Sequence, residues 1–228
     1  MNAVPAAAPA AAPVSGWRSL RFLQLLLFVV ASLLLLPLQV RFRLFAAVTQ
    51  ILILNGILVA ISASGRKRLQ RRLLIGVYVC DLALQAASLR LQVRGLSLTA
   101  DAAGAVTIAI FVGIILDYVF RSSKITADTL FAAIVAYLFL AIAFSRAYAI
   151  LHAVEPASFN LRPGASVDVE LLYFSFVTIA TLGYGDVVPR MPLTQMLAVI
   201  EAVAGQFYVA VLIAWLVSLY AGRRVAER

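Results

Sequence analysis

The fold class this sequence predicts is an all-α membrane protein, with six transmembrane helices and a re-entrant helix between the fifth and sixth. Three observations predict it. Hydrophobic residues make up 64% of the 228 and charged residues only 13%, with a mean hydropathy of +1.00. That leaves too little polar surface to face water. Apolar runs of roughly 20 residues, the length a helix needs to cross a bilayer, recur along the chain. The 19 Lys and Arg residues lie in short clusters between those runs, so the formal charge of +9 reads as a topology signal and not as a nucleic-acid surface. The same composition excludes enzymes built on a large soluble domain. Cys80 is the single cysteine and lies inside an apolar run, which excludes an intrachain disulfide and a cysteine-based metal site.

Residues 1–16, MNAVPAAAPAAAPVSG, are Ala/Pro-rich, uncharged and aperiodic, and are expected to form a flexible tail. Arg18 and Arg21 then precede the run Phe22 to Leu36. A cleaved signal peptide would have this shape, but no convincing small-residue cleavage site is present and PLQVRFR follows directly, so a retained span is expected. Spans are expected at about 20–40, 44–64, 73–92, 102–120, 129–151 and 195–221. The apolar stretch from about Val169 to Ala180 is too short to cross and is expected to be re-entrant, with Asp168 as its N-cap. With the N-terminus cytoplasmic, twelve Lys and Arg residues fall on inside segments, six on outside segments, and Arg146 within a span. The GRKRLQRR loop is the strongest marker of that orientation, which puts both termini inside. No internal repeat is visible, against an inverted-repeat transporter.

The informative stretch is YFSFVTIATLGYGDVVP, Tyr173 to Pro189. A short apolar helix leads into Thr181-Leu182-Gly183-Tyr184-Gly185-Asp186, and Pro189 forbids immediate helix continuation. Two glycines one residue apart open backbone conformations closed to other residues. A chain alternating such conformations can aim successive carbonyl oxygens one way, as is needed to replace the water shell of a bare cation. The motif T-x-x-T-x-G-Y-G-D, here Thr178, Thr181, Gly183, Tyr184, Gly185 and Asp186, resembles that of the tetrameric potassium channels. The resemblance implies that the carbonyls of Thr181, Leu182, Gly183 and Tyr184, with the Thr181 hydroxyl, line a queue of K+ sites running to Gly185. It implies that Tyr184 packs against the pore-helix aromatics Tyr173 and Phe174 of its own or a neighbouring chain, with Thr178 and Asp186 as further filter support. It also implies a homotetramer in membrane lipid, with K+ as the transported ion and no cofactor. Leu182 and Ala180 depart from the commonest pattern, where valine and threonine are usual.

The resemblance divides the chain into the tail, a four-helix membrane domain at 17–124, and a pore domain at 125–228. Gly205, 22 residues after Gly183, is a candidate gating hinge or a small residue permitting close helix packing. Six-span members of the family often carry repeated arginines in the fourth helix. Here Ala102 to Phe120 has no Lys or Arg, and Asp117 is its only charge, so a domain without voltage sensing is expected. Asp81, mid-span, is a candidate intramembrane acid site, with Asn55 or Gln85 as a structural partner. Arg146 and Glu201 lie at similar depths in the fifth and sixth spans and are a candidate buried ion pair. His152 reads as an exposed residue near the outer surface. The expected function is passive K+ conduction across the cell membrane, and not catalysis. The alternatives are a non-conducting channel subunit and an intramembrane aspartyl protease of the GxGD type, which would need Asp81 or Asp117 to face Asp186.

Overall fold

A computed structural model describes residues 21–39, 68–91, 94–122 and 126–226. Among them are six α-helices: α1 (Arg21–Gln39), α2 (Arg68–Leu91), α3 (Arg94–Arg121), α4 (Ala127–Val154), α5 (Val167–Ile179) and α6 (Pro192–Ala226), with a single 3-10 turn at Pro156–Ser158. The expected tail and the expected span at about 44–64, with Asn55, lie outside the described residues.

Among the described residues, three helical stretches are long and apolar enough to cross a membrane: Leu98–Arg121, Ala127–Val154 and Pro192–Ser218. The protein is therefore a multi-pass membrane protein. α1 coincides with the first expected span, and its apolar stretch, Arg21–Leu35, is shorter than those three. α2 covers the third expected span but begins with arginines and carries Asp81 and Arg90, so it does not reach the same apolar standard. α3 starts eight residues before the expected fourth span, at Arg94. Arg94 therefore belongs to the start of this helix and not to the end of α2.

The ends of the elements follow local chemistry. Thr126 caps α4, its hydroxyl accepting from the Thr129 amide at 3.2 Å. α5 begins one residue before Asp168, with Ser166 in the cap position, so the expected Asp168 cap is not formed. Asp168 and Glu170 instead occupy the first turn, where the helix dipole favours negative charge. Pro192 opens α6, at the position where its missing N–H removes nothing from the helix.

α4 is the central element. It packs against α1 and α3 on one side and carries α5 and α6 on the other. Phe22, Leu25 and Val29 of α1, Ile115 and Val119 of α3, and Ala132, Val135, Ala136 and Phe139 of α4 form one continuous core. The buried Asp128 of α4 ties these helices together, accepting from the Phe22 amide at 2.9 Å and the Tyr118 hydroxyl at 3.2 Å.

Candidate functional site

α5 lies in the angle between α4 and α6, and its C-terminal end is held from both sides. The Tyr137 hydroxyl of α4 donates to the Ile179 carbonyl at 3.0 Å, satisfying a group that the helix end leaves open. Gly205 of α6 lies against the same residue. A Cβ at position 205 would sit 2.6 Å from the Ile179 oxygen and 2.7 Å from its Cγ1. Of the two readings of Gly205, close packing is the one this contact supports, because any larger residue would push α6 off the end of α5.

From that end the chain turns into the loop at 181–186. Thr181 has φ +57°, Gly183 +57° and Gly185 +77°. Positive φ therefore alternates with ordinary backbone along Thr181 to Gly185. At Thr181 this is a rare conformation for a β-branched residue, of the kind that persists only where the surroundings impose it. The turn is fastened to the helix behind it. Thr181 N–H donates to the Thr178 carbonyl at 2.9 Å, and the amides of Leu182 and Gly183 both donate to the Val177 carbonyl, at 2.9 and 3.4 Å. With those amides drawn back to α5, no hydrogen bond among the described residues reaches the carbonyl oxygens of Thr181 to Gly185. Gln206 of α6 reaches the Thr181 hydroxyl at 3.5 Å.

After the loop, the return segment pairs with the chain following α4. Phe159 and Pro189 form an antiparallel bridge. Asn160 N–H donates to Val188 O at 3.0 Å, and Arg190 N–H to Ser158 O at 2.8 Å. Phe159 and Phe174 pack edge-on against Tyr148, with ring centroids 5.4 and 5.1 Å away. The Tyr173 hydroxyl, aided by backbone amides and the Arg162 charge, holds the Asp186 carboxyl below the usual carboxylate range. Arg162 also pairs with the buried Glu170 in the first turn of α5, its Nε lying 2.8 Å from Oε1.

The sequence-predicted residues fare differently in this geometry. Thr178 and Thr181 to Asp186 form the one turn, Phe174 is buried behind it, and Tyr173 reaches it through Asp186. Tyr184 does not pack on Tyr173 or Phe174 of its own chain and is 66% exposed. Asp81 is buried and accepts from Gln85 Nε2 at 3.1 Å, one of the two partners expected for it, while its Oδ1 has no hydrogen-bond partner among the described residues. Arg146 and Glu201 do not pair. Arg146 lies 3.5 Å from Asp101 of α3. Glu201, fully buried, accepts from the Tyr148 hydroxyl at 2.6 Å and contacts the Ser175 hydroxyl. The reason is rotational. Residues 146 and 148 are about 200° apart around a helix, so Arg146 faces α3 while Tyr148 faces α6. His152 is partly buried, its ring 6.4 Å from that of Phe159.

Sequence reasoning missed Tyr137, Tyr148, Ser175, Gln206 and Glu170. The available signal was that each is a polar group in an apolar helix, where a partner must exist.

The short helix, the alternating-φ loop and most of the two long apolar helices that hold them fall within one segment that a known family matches. That segment, residues 132–221, matches the sequence model of the family described as Ion channel. The inward rectifier potassium channel Kirbac3.1 of Paramagnetospirillum magnetotacticum is 42% identical over 52 residues, 23% of this chain and 17% of that protein. Two pore potassium channel c of Oryza sativa subsp. japonica is 33% identical over 89 residues, 39% of this chain and 18% of that protein. The chain thus spans under a fifth of the length of each of these relatives, and the matches are to channel proteins and not to enzymes. No solved structure matches the chain.

Proposed function

We propose that four copies of this chain form a potassium-selective pore whose filter is the backbone of Thr181 to Gly185. The observation that carries the reading is the alternation of positive φ at Thr181, Gly183 and Gly185 in a loop whose carbonyl oxygens accept no hydrogen bond from the described residues. Such oxygens can take the place of an ion's hydration shell. Left open to lipid they would be costly, so one loop calls for symmetric copies around a shared axis. The exposure of α6 supports assembly. Only 11% of its span is buried, against 44% for α4, and Val199, Val203 and Phe207 are all exposed. The potassium assignment rests on the TLGYGD residues and on the two channels similar to this segment.

In this reading six spans leave both termini cytoplasmic and the 181–186 loop near the outer surface. Gating charge is small, because the membrane stretch of α3 carries no Lys or Arg until Arg121 at its end. Each charge crossing the field would contribute ~2.3 kcal/mol per 100 mV. Nothing favours the protease. Asp186 is exposed, Asp81 is bonded to Gln85, and Asp117 pairs with Arg121 at 2.6 Å.

The test is ion flux in liposomes containing only the purified protein, under K+ and then Na+ gradients, with the assembled mass measured in parallel. K+ flux well above Na+ flux from a tetramer is expected. Equal fluxes would remove the selectivity, and a tetramer without flux would make the chain a non-conducting subunit.

A further inference from the structure

Glu201 is the largest departure from what an apolar inner helix needs. It is fully buried, it lies behind the ion pathway proposed above, and the conduction mechanism does not use it. Its surroundings determine what form it takes. Oε2 accepts from the Tyr148 hydroxyl at 2.6 Å. Oε1 contacts the hydroxyl of Ser175, itself fully buried, and that same hydroxyl lies 2.6 Å from the carbonyl oxygen of Ala141.

Three oxygens therefore meet in a row: Glu201 Oε1, Ser175 Oγ and Ala141 O. The carbonyl has no proton, and a serine hydroxyl has one. If Ser175 donates to a carboxylate, its contact with Ala141 is two lone pairs facing each other. If Ser175 donates to Ala141, its contact with Glu201 needs a proton from the acid. Only the second arrangement gives every contact one proton. Tyr148 O–H donates to Oε2, the acid O–H at Oε1 donates to Ser175 Oγ, and Ser175 O–H donates to Ala141 O.

Charge points the same way. α4 presents the Tyr148 hydroxyl to Glu201 and α5 presents Ser175, while the nearby Tyr137 donates to Ile179 O, and among the described residues no Lys, Arg or His forms an ion pair with Glu201. The arginine at matching depth, Arg146, is committed to Asp101. A buried carboxylate with no counter-ion is strongly disfavoured, whereas a neutral acid with both oxygens hydrogen-bonded is not.

We propose that Glu201 is a proton-carrying strut, a neutral carboxylic acid that positions α6 against the back of the pore helix α5. The placement fits the role. Glu201 meets Ser175, and one turn further along both helices Gly205 meets Ile179. The two contacts are four residues apart on each helix, so they form successive rungs. The polar rung fixes rotation and distance, and the glycine rung brings the helices to touching distance immediately before the 181–186 loop. Glu201 is thus a positioning residue for the ion pathway, and the inference rests on the pore reading given above.

The test uses the full chain in liposomes, wild type beside Glu201→Gln, Glu201→Ala and Ser175→Ala. Glutamine keeps the hydrogen-bond pattern without a titratable proton, its carbonyl accepting from Tyr148 and its amide donating to Ser175. K+ flux in Glu201→Gln should stay within about twofold of wild type, while Glu201→Ala, which leaves buried partners unsatisfied, should lose about tenfold or more. The infrared difference between wild type and Glu201→Gln at neutral pH should contain the carbonyl stretch of an undissociated carboxylic acid, and Ser175→Ala should shift that band. Absence of the band, or a glutamine variant as damaged as the alanine one, overturns the strut. If Glu201→Ala does not fold, the band and the glutamine rescue still decide. A wild type that shows the band but passes no K+ overturns the pore reading and leaves the strut standing, and a conducting wild type without the band does the reverse.

Discussion

The helices α1 to α3 and the module α4 to α6 use their polar groups differently. In the first region most of these groups bind within their own helix: Ser32 to Phe28 O, Gln85 to Asp81, and Arg121 to Asp117, each four residues apart. In the second, tyrosines and Ser175 cross between helices. Tyr137 reaches Ile179, Tyr148 and Ser175 reach Glu201, and Tyr208 reaches the Ala133 carbonyl at 2.6 Å. A bond within a helix supports that helix but says nothing about its neighbour. A bond between helices fixes both separation and rotation. In hydrocarbon this matters more than in water, because lipid tails are as apolar as leucine and give packed helices no hydrophobic advantage. The matched family segment, 132–221, is the cross-linked region. Asp128, just before that segment, and the Arg146–Asp101 pair are polar links from α4 back to the first region.

The largest expected effect comes from glycine in the cross-linked module. Gly183→Ala should reduce K+ flux to the liposome background. Within its own chain a Cβ at 183 would meet nothing within 4 Å, so the effect would come from the positive φ, which the new methyl group opposes. Unchanged flux in that variant would show that the ion path lies elsewhere.

Two further glycines set the regions side by side. Gly205→Ala should destabilise the protein by ~1–3 kcal/mol, because its Cβ meets the Ile179 backbone and neither partner is a flexible chain end. Gly113→Ala in α3 meets nothing within 4 Å and should be neutral or stabilising by up to ~1 kcal/mol. Thermal unfolding in detergent measures both. A tolerant 205 or a damaged 113 would erase the contrast.

The link between the regions should be smaller. Arg146→Gln and Asp101→Asn should be non-additive by ~0.5–1 kcal/mol in a double-mutant cycle, since the pair is partly exposed at 32% and 27%. Arg146→Gln and Glu201→Gln should simply add. Coupling in the second cycle and none in the first would restore the pairing that sequence depth alone implied.

The smallest effect concerns the outer end of the loop. Asp186 is held below its ordinary range by the Tyr173 hydroxyl, so this contact contributes fully above the unfolded carboxylate value and is lost as pH falls through the lower folded one. Tyr173→Phe should therefore speed backbone hydrogen exchange around residues 186–188 at neutral pH, relative to wild type, and the difference should vanish in acid. A difference that persisted in acid would assign the effect to packing instead.

Much of the framework is legible in the sequence because it depends on single-residue chemistry. The three long apolar spans follow from run length, and the short helix at 167–179 from a run too brief to cross. The alternating-φ loop follows from Gly183 and Gly185 one residue apart. The less legible parts depend on where a helix face points. Ser175 and Tyr148 look like incidental polar residues until α6 is docked, and Asp168 lies in the first turn because the helix begins at Val167 with Ser166 in the cap position.

By itself, then, the sequence determined that the chain is a helical membrane protein with a glycine-bearing loop between a short helix and a long one. Hydrophobic run length and backbone permissiveness are properties of the residues themselves, and no neighbour is needed to read them. Only the tertiary structure decided the partners of the buried charges. Arg146 and Glu201 share a depth, which run length can estimate. They do not share an azimuth, because two residues along a helix turn a side chain to nearly the opposite face. Which neighbour waits on that face is settled by how α3, α5 and α6 pack around α4, and that packing joins residues between 26 and 53 positions apart in the chain.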